Sequence, residues 1–270
     1  MGEPVQAGLA GIASAVEHEA DLRGREDDPT PRGVVRAVLD ALIDQPEGDD
    51  EPRLAKMTWL PRHYGATVRV LDVCAGYGCW ASEMRRLAQA QGWPVHITGI
   101  ELDGRKREHL AKWCDEVVIR DWFSALADHH RTPEFDIVIG NPHFTALTHD
   151  DPVCSMPAIL LLYAPAVLLL HTRQAFTKSL AGRDIHRRYP PAWAGIVPGS
   201  VGFRGRSKGC DSRTYQASLW LRGHDGPTST VLLPDPPARS SSWHWDQLPG
   251  TEDATTAKAL GLPLAPGWSP

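Results

Sequence analysis

Apolar residues recur along the chain in short β-branched runs and in stripes of helical spacing, and the two alternate. Val68–Val73 (VRVLDV), Val95–Leu102, Glu116–Arg120 and Phe135–Ile139 (FDIVI) are runs of buried-strand character. Between them lie Trp80–Gln91, stopped by Gly92, and Gly104–Trp113, both with helical patterning. Upstream, Thr30-Pro31 reads as a helix start, with Val34, Val35, Val38, Leu39, Leu42 and Ile43 forming one apolar face. Downstream, the pattern predicts a helix over Val153–Tyr163 and, past Pro165, a fifth strand at Ala166–Leu170. Thr172–Arg188 is basic and partly helical. Strands are expected at Ala192–Val197, at Tyr215–Arg222 as a hairpin partner of the former, and at Thr228–Leu233. Strands alternating with helices predict an α/β fold, Rossmann-like, with a mostly parallel sheet of about seven strands flanked by helices.

The strand ends carry the chemistry. The first strand runs into Cys74-Ala75-Gly76-Tyr77-Gly78, a glycine turn that lets a backbone approach a ligand at a helix N-terminus. The second ends in Glu101 and Asp103, where a carboxylate can accept from ribose hydroxyls. The third ends at Asp121-Trp122-Phe123, an acid and aromatics suited to an adenine's amino group and face. The fourth, closed by Gly140, delivers Asn141-Pro142-His143-Phe144, because Pro142 has no N–H to extend a ladder. Asn141 offers an amide oxygen, Pro142 a free carbonyl and Phe144 an aromatic face, together fit for a flat substrate with an exocyclic amine. Each acid alone would serve equally well as a helix cap. In order and at regular spacing they argue for one ligand-binding edge.

Composition narrows the setting. The chain has 270 residues and a net charge of −5, and its five cysteines form no CxxC pair, which argues against a disulfide framework and a zinc ribbon. The N-terminus lacks a signal-peptide pattern and no apolar run reaches a membrane span, so a reducing, cytoplasmic setting is expected. Between His171 and His224 ten Lys/Arg face two Asp, a basic segment suited to phosphates. Within it, Arg204, Arg206, Lys208 and Arg213 lie in a Gly/Arg/Ser-rich surface loop, Pro198–Arg213. Residues 1–28 read as a poorly ordered acidic arm, 29–233 as the catalytic domain and 234–270 as a poorly ordered Pro/Ser-rich tail.

This order of pieces resembles class I S-adenosylmethionine-dependent methyltransferases. More narrowly, it is similar to the adenine-N6 DNA methyltransferases of gamma-type motif order, in the phage- and prophage-like branch. The resemblance covers about Thr30 to Arg222. It implies S-adenosyl-L-methionine as cofactor, held by Thr30, Asp72, Ala75, Gly76, Gly78, Glu101, Asp121 and Trp122, with Asn141, Pro142 and Phe144 as catalytic residues. It implies a nucleic-acid partner, DNA, gripped by Arg204, Arg206, Lys208 and Arg213, with no metal and no membrane. The departure is His143, where the family has a second proline. Other readings stay open: methylation of RNA adenine or of a protein glutamine amide, and a cofactor- or DNA-binding protein without turnover. A dinucleotide-dependent oxidoreductase is also open, since Gly76–Ala81 satisfies G-x-G-x-x-A.

Overall fold

The computed structural model describes residues 30–44, 46–47, 51–52, 67–127, 135–143, 147–202, 213–235 and 242–244. The expected arm at 1–28, most of the tail, Phe144, Arg204, Arg206 and Lys208 lie outside the described residues.

The chain order is α1 (Arg32–Asp44), β1 (Val68–Val73), α2 (Cys79–Gln91), β2 (Val95–Glu101), α3 (Arg107–Leu110), β3 (Glu116–Ile119), α4 (Trp122–Ala127), β4 (Ile137–Gly140), α5 (Met156–Tyr163), β5 (Ala166–Thr172), α6 (Leu180–Arg188), β6 (Trp193–Ile196), β7 (Tyr215–Leu221) and β8 (Ser229–Leu232). These eight strands form one sheet in the order β8-β6-β7-β5-β4-β1-β2-β3. Every neighbouring pair is parallel except the two that β7 makes with β5 and β6. The sheet is therefore mostly parallel as expected, with one strand more than anticipated. The hairpin expected between β6 and β7 forms, and β7 also runs beside β5. Two short ladders lie outside it: Pro46–Glu47 with Glu51–Pro52, and Ser200–Gly202 with Ser242–His244. The second draws three residues of the expected tail onto the expected surface loop.

Period-two alternation assigns the strand residues to two cores. Val68 and Val70 of β1, Ile137 and Ile139 of β4, and Leu168 and Leu170 of β5 pack under α1 and α2. Leu71, Val73, Val138, Val167 and Leu169 point the other way, toward α4, α5 and α6. On α1, Val34, Val35, Val38, Leu39 and Leu42 are buried, the face that the helical spacing predicts.

Two local corrections apply. Gly140 does not end the fourth strand from outside; it is the last strand residue, paired with Val73 and Leu169. A Cβ at Gly140 would stand 2.3 Å from the Val73 carbonyl oxygen, so only glycine lets β4 approach β1 this closely. The helix expected over Gly104–Trp113 is a 3-10 turn at Gly104–Lys106 followed by one α-turn, α3. Asp103 caps that turn by accepting from the Arg105 N–H at 3.0 Å.

Candidate active site

The sheet order reverses at β1. From β1 the chain moves outward to β2 and β3, and then crosses back to β4 on the opposite side. The crevice at the carboxyl ends of β1 and β4 is the topological switch point, where open α/β sheets bind ligands.

The turn after β1 is built for close approach. Cys74 and Gly76 both take left-handed backbone, each with φ 57°, and nothing lies within 4 Å of where a Gly76 Cβ would be. Glu101, at the tip of β2, holds this turn: its Oε2 accepts from the Gly76 N–H at 2.7 Å and its Oε1 from the Asp103 N–H at 2.9 Å. Glu101 is 8% exposed, and Lys106 Nζ stands 3.8 Å from its Oε1. The strand end offered a ribose-binding carboxylate at Glu101 or Asp103, and the family resemblance singled out Glu101. The structure separates them. Asp103 turns to Arg105, whose hydrogen bonds hold its carboxyl at about 2, while Glu101 faces the glycine turn.

Asp72 lies beneath this turn and is fully buried. Its Oδ2 accepts from the Ala81 N–H at 3.0 Å, and its Oδ1 has no partner. Gly78 stands at the N-cap of α2 and has no side chain to cap it, so Asp72 supplies the acceptor from the strand. Burial pushes the Asp72 carboxyl well above its ordinary range; the Ala81 N–H opposes this and the charge of Glu101 adds to it. Ala75 is buried, and its N–H donates to the Ile100 carbonyl, joining the turn to β2.

Asp121 follows β3 and caps α4, its Oδ1 accepting from the Ser124 N–H at 2.9 Å. Trp122 is 7% exposed and packs in the second core, edge-on to Phe123.

Asn141 stands at the tip of β4, beside buried Pro142. Its Nδ2 donates to Thr30 Oγ1 at 2.9 Å, and its Oδ1 is buried without a partner. Thr30, expected to cap its helix, thus makes its hydrogen bond across the molecule. A buried acceptor left unpaired costs about 1–3 kcal/mol, and an incoming donor would recover that. Arg213 is exposed just ahead of β7. Because β7 runs antiparallel to β5, its start pairs with Thr172 at the same sheet edge as Asn141.

Sequence reasoning missed two groups. Lys106, beside Glu101, has its Nζ 5.3 Å from the Tyr77 ring centre, and the Tyr77 ring lies tilted 5.6 Å from that of His109. Glu83 of α2 is fully buried and gathers three arginines: Arg32 at 2.8 Å, Arg36 at 2.9 Å and Arg86 at 2.8 Å. Burial pushes the Glu83 carboxyl up, but the Arg36 hydrogen bonds and the charges of Arg32 and Arg36 outweigh it and hold it low. The only sequence signal was a helical Glu within reach of Arg86 at i+3.

No family model matches the chain. It is 30% identical over 87 residues to a protein of Jannaschia sp. (strain CCS1) described as "Putative methyltransferase", across 29% of this chain and 31% of that one. The "modification subunit of a putative type I restriction enzyme" from Vibrio vulnificus YJ016 superposes with a TM-score of 0.53 at 12% identity, over 93% of this chain and 56% of that one. The methyltransferase subunit of a type I restriction-modification system from Streptococcus thermophilus gives 0.51 at 14% identity, over 76% and 47%. The chain shares its α/β fold with these two subunits. This chain spans 56% or less of the length of each of these three proteins. No helix among the described residues is long and apolar enough to cross a membrane, and no group of three metal-binding side chains occurs among them.

Proposed function

We propose that this protein is an S-adenosylmethionine-dependent methyltransferase acting on an exocyclic amine, the N6 of adenine in DNA. The observation that carries this reading is the unpartnered, buried Oδ1 of Asn141 at the switch point, beside Pro142. An amine placed there donates one N–H to Asn141 Oδ1 and a second to the Pro142 carbonyl. Both acceptors favour a pyramidal nitrogen and stabilise the positive charge that grows on it as it attacks. Positioning supplies the rest, with nitrogen, methyl carbon and sulfur in line. The new N–C bond forms as the C–S bond breaks, and the amine proton leaves afterwards to solvent.

The other side of the crevice fits the methyl donor, which supplies an activated methyl on sulfur. Glu101 would accept from its ribose hydroxyls with the lone pairs its two backbone bonds leave over, and the open space at Gly76 admits its amino-acid portion. Asp121 would accept from the adenine amino group through Oδ2. In this reading Asp72 acts from below, by fixing α2. The basic segment favours a polyanion as acceptor, with Arg213 at the rim and Arg204, Arg206 and Lys208 on phosphates. A base in a duplex would have to be flipped out to reach Asn141, with Phe144 stacking on it.

The test is transfer from labelled S-adenosylmethionine to unmethylated duplex DNA, with mass analysis of the nucleosides. N6-methyladenine made by the wild type and lost in Asn141→Ala is the expected result. Label appearing in RNA or in a glutamine-containing peptide but not in DNA would move the assignment to that substrate. No transfer to any of the three, with cofactor binding intact, would overturn it.

A further inference from the structure

Asn141 is the only asparagine among the 270 residues of the chain. Its amide must present oxygen toward the acceptor, yet a terminal amide rotates about a broad torsion, and swinging it would carry Oδ1 off target. One contact opposes that rotation: Thr30 Oγ1, 2.9 Å from Nδ2 and 111 residues away in sequence. Thr30 is itself 6% exposed, so water cannot easily take its place.

Thr30 is in turn held by α1, which begins two residues later. That helix is fastened to α2 by Arg32 and Arg36, both on the buried carboxylate of Glu83. The residues proposed above for the methyl donor lie on the turn after β1, at the tip of β2 and after β3, whereas the contact recorded for Thr30 is at the tip of β4.

We propose that Thr30 is a positioning residue for the methyl acceptor: its hydroxyl pins the amide plane of Asn141, and the Glu83–Arg32–Arg36 cluster holds Thr30 in place. This replaces the expectation that Thr30 serves the methyl donor. The kinetic consequence rests on the methyltransferase reading; the hydrogen bond does not.

The single asparagine makes the test direct. Labelling with [15N]asparagine gives one side-chain NH2 pair, whose solvent exchange reports the Thr30 bond without any turnover. Wild type and Thr30→Ser should both show a protected pair, and Thr30→Val an unprotected one; Thr30→Ala takes its place should the valine variant not fold. In the DNA assay Thr30→Val should lower kcat about tenfold, the size of one lost hydrogen bond, with calorimetric affinity for S-adenosylmethionine unchanged and Thr30→Ser restoring kcat. Glu83→Gln should also expose the NH2 pair. Unchanged exchange in Thr30→Val, or weakened cofactor affinity with unchanged kcat, would overturn the proposal. If the wild type transfers no methyl group at all, the function fails, and the exchange data still decide the hydrogen bond.

Discussion

The two sides of the switch point are finished in opposite ways. On the β1–β2 side each carboxylate already accepts from a backbone N–H: Asp72 from Ala81, Glu101 from Gly76 and Asp103. Those bonds shape the loop before any ligand arrives. On the β4 side Asn141 spends its donor on Thr30 and leaves its acceptor buried and unpaired. One side is shaped in advance by these bonds, with only the fully buried Oδ1 of Asp72 left without a partner. The other holds one unmet hydrogen bond, which is what an amine would complete. Binding and reaction thus fall to different strands, and substitutions should separate them.

The largest effect is expected at Asn141. Replacing it with alanine should lower kcat by about 100- to 1,000-fold, the range seen when one transition-state hydrogen-bonding group is removed, while calorimetry finds the donor affinity kept. Glu101→Ala should do the reverse. Losing charged hydrogen bonds should weaken S-adenosylmethionine binding by about 10- to 100-fold, with a smaller change in kcat at saturating donor. If both variants lose binding and turnover in equal proportion, the division of labour is wrong.

Gly140→Ala probes the seam between the two sides. Its Cβ would press on the Val73 carbonyl at 2.3 Å, so the strands must part. A loss of about 1–3 kcal/mol in urea unfolding is expected from such overpacking. The smallest effect is that of Asp72→Asn, and it depends on pH. The folded-state pKa of Asp72 is raised above its ordinary 3.8, so its contribution to stability is fully present below that value and is lost as pH rises through the folded pKa. Asparagine keeps an acceptor for Ala81 and does not ionise. The unfolding midpoints of wild type and variant should therefore agree near pH 4 and diverge in the variant's favour as pH increases.

Much of this arrangement was legible in the chain. β1, β2, β3 and β4 announce themselves because buried parallel strands need continuous β-branched runs; Gly or Pro follows closely on β1, β2 and β4, while β3 runs into Asp121-Trp122-Phe123. Asn141 could be placed at a strand tip for the same reason. What could not be read was contact between segments distant in sequence. Nothing local shows that Thr30 reaches Asn141, or that Glu83 collects Arg32 and Arg36, because ion pairs of |i−j| = 51 and 47 leave no periodic trace. Nor could the local pattern divide Glu101 from Asp103; only the family resemblance singled out Glu101. Glu101 closes β2, whereas Asp103 lies two residues on, where it caps the next turn and bonds Arg105. The parallel pairing of β8 with β6 was hidden as well, since alternation sets a strand's faces and not its neighbour.

The docking of α1 has a consequence for how the molecule is made. Residues 30–44 are synthesised before their partners: Glu83 comes 51 residues later for Arg32, and Asn141 111 residues later for Thr30. Pairings so far apart must close long loops, which slows their formation. A nascent chain would make β1 to β4 before Thr30 could meet Asn141, so that contact waits until half of the eight-stranded sheet has been synthesised.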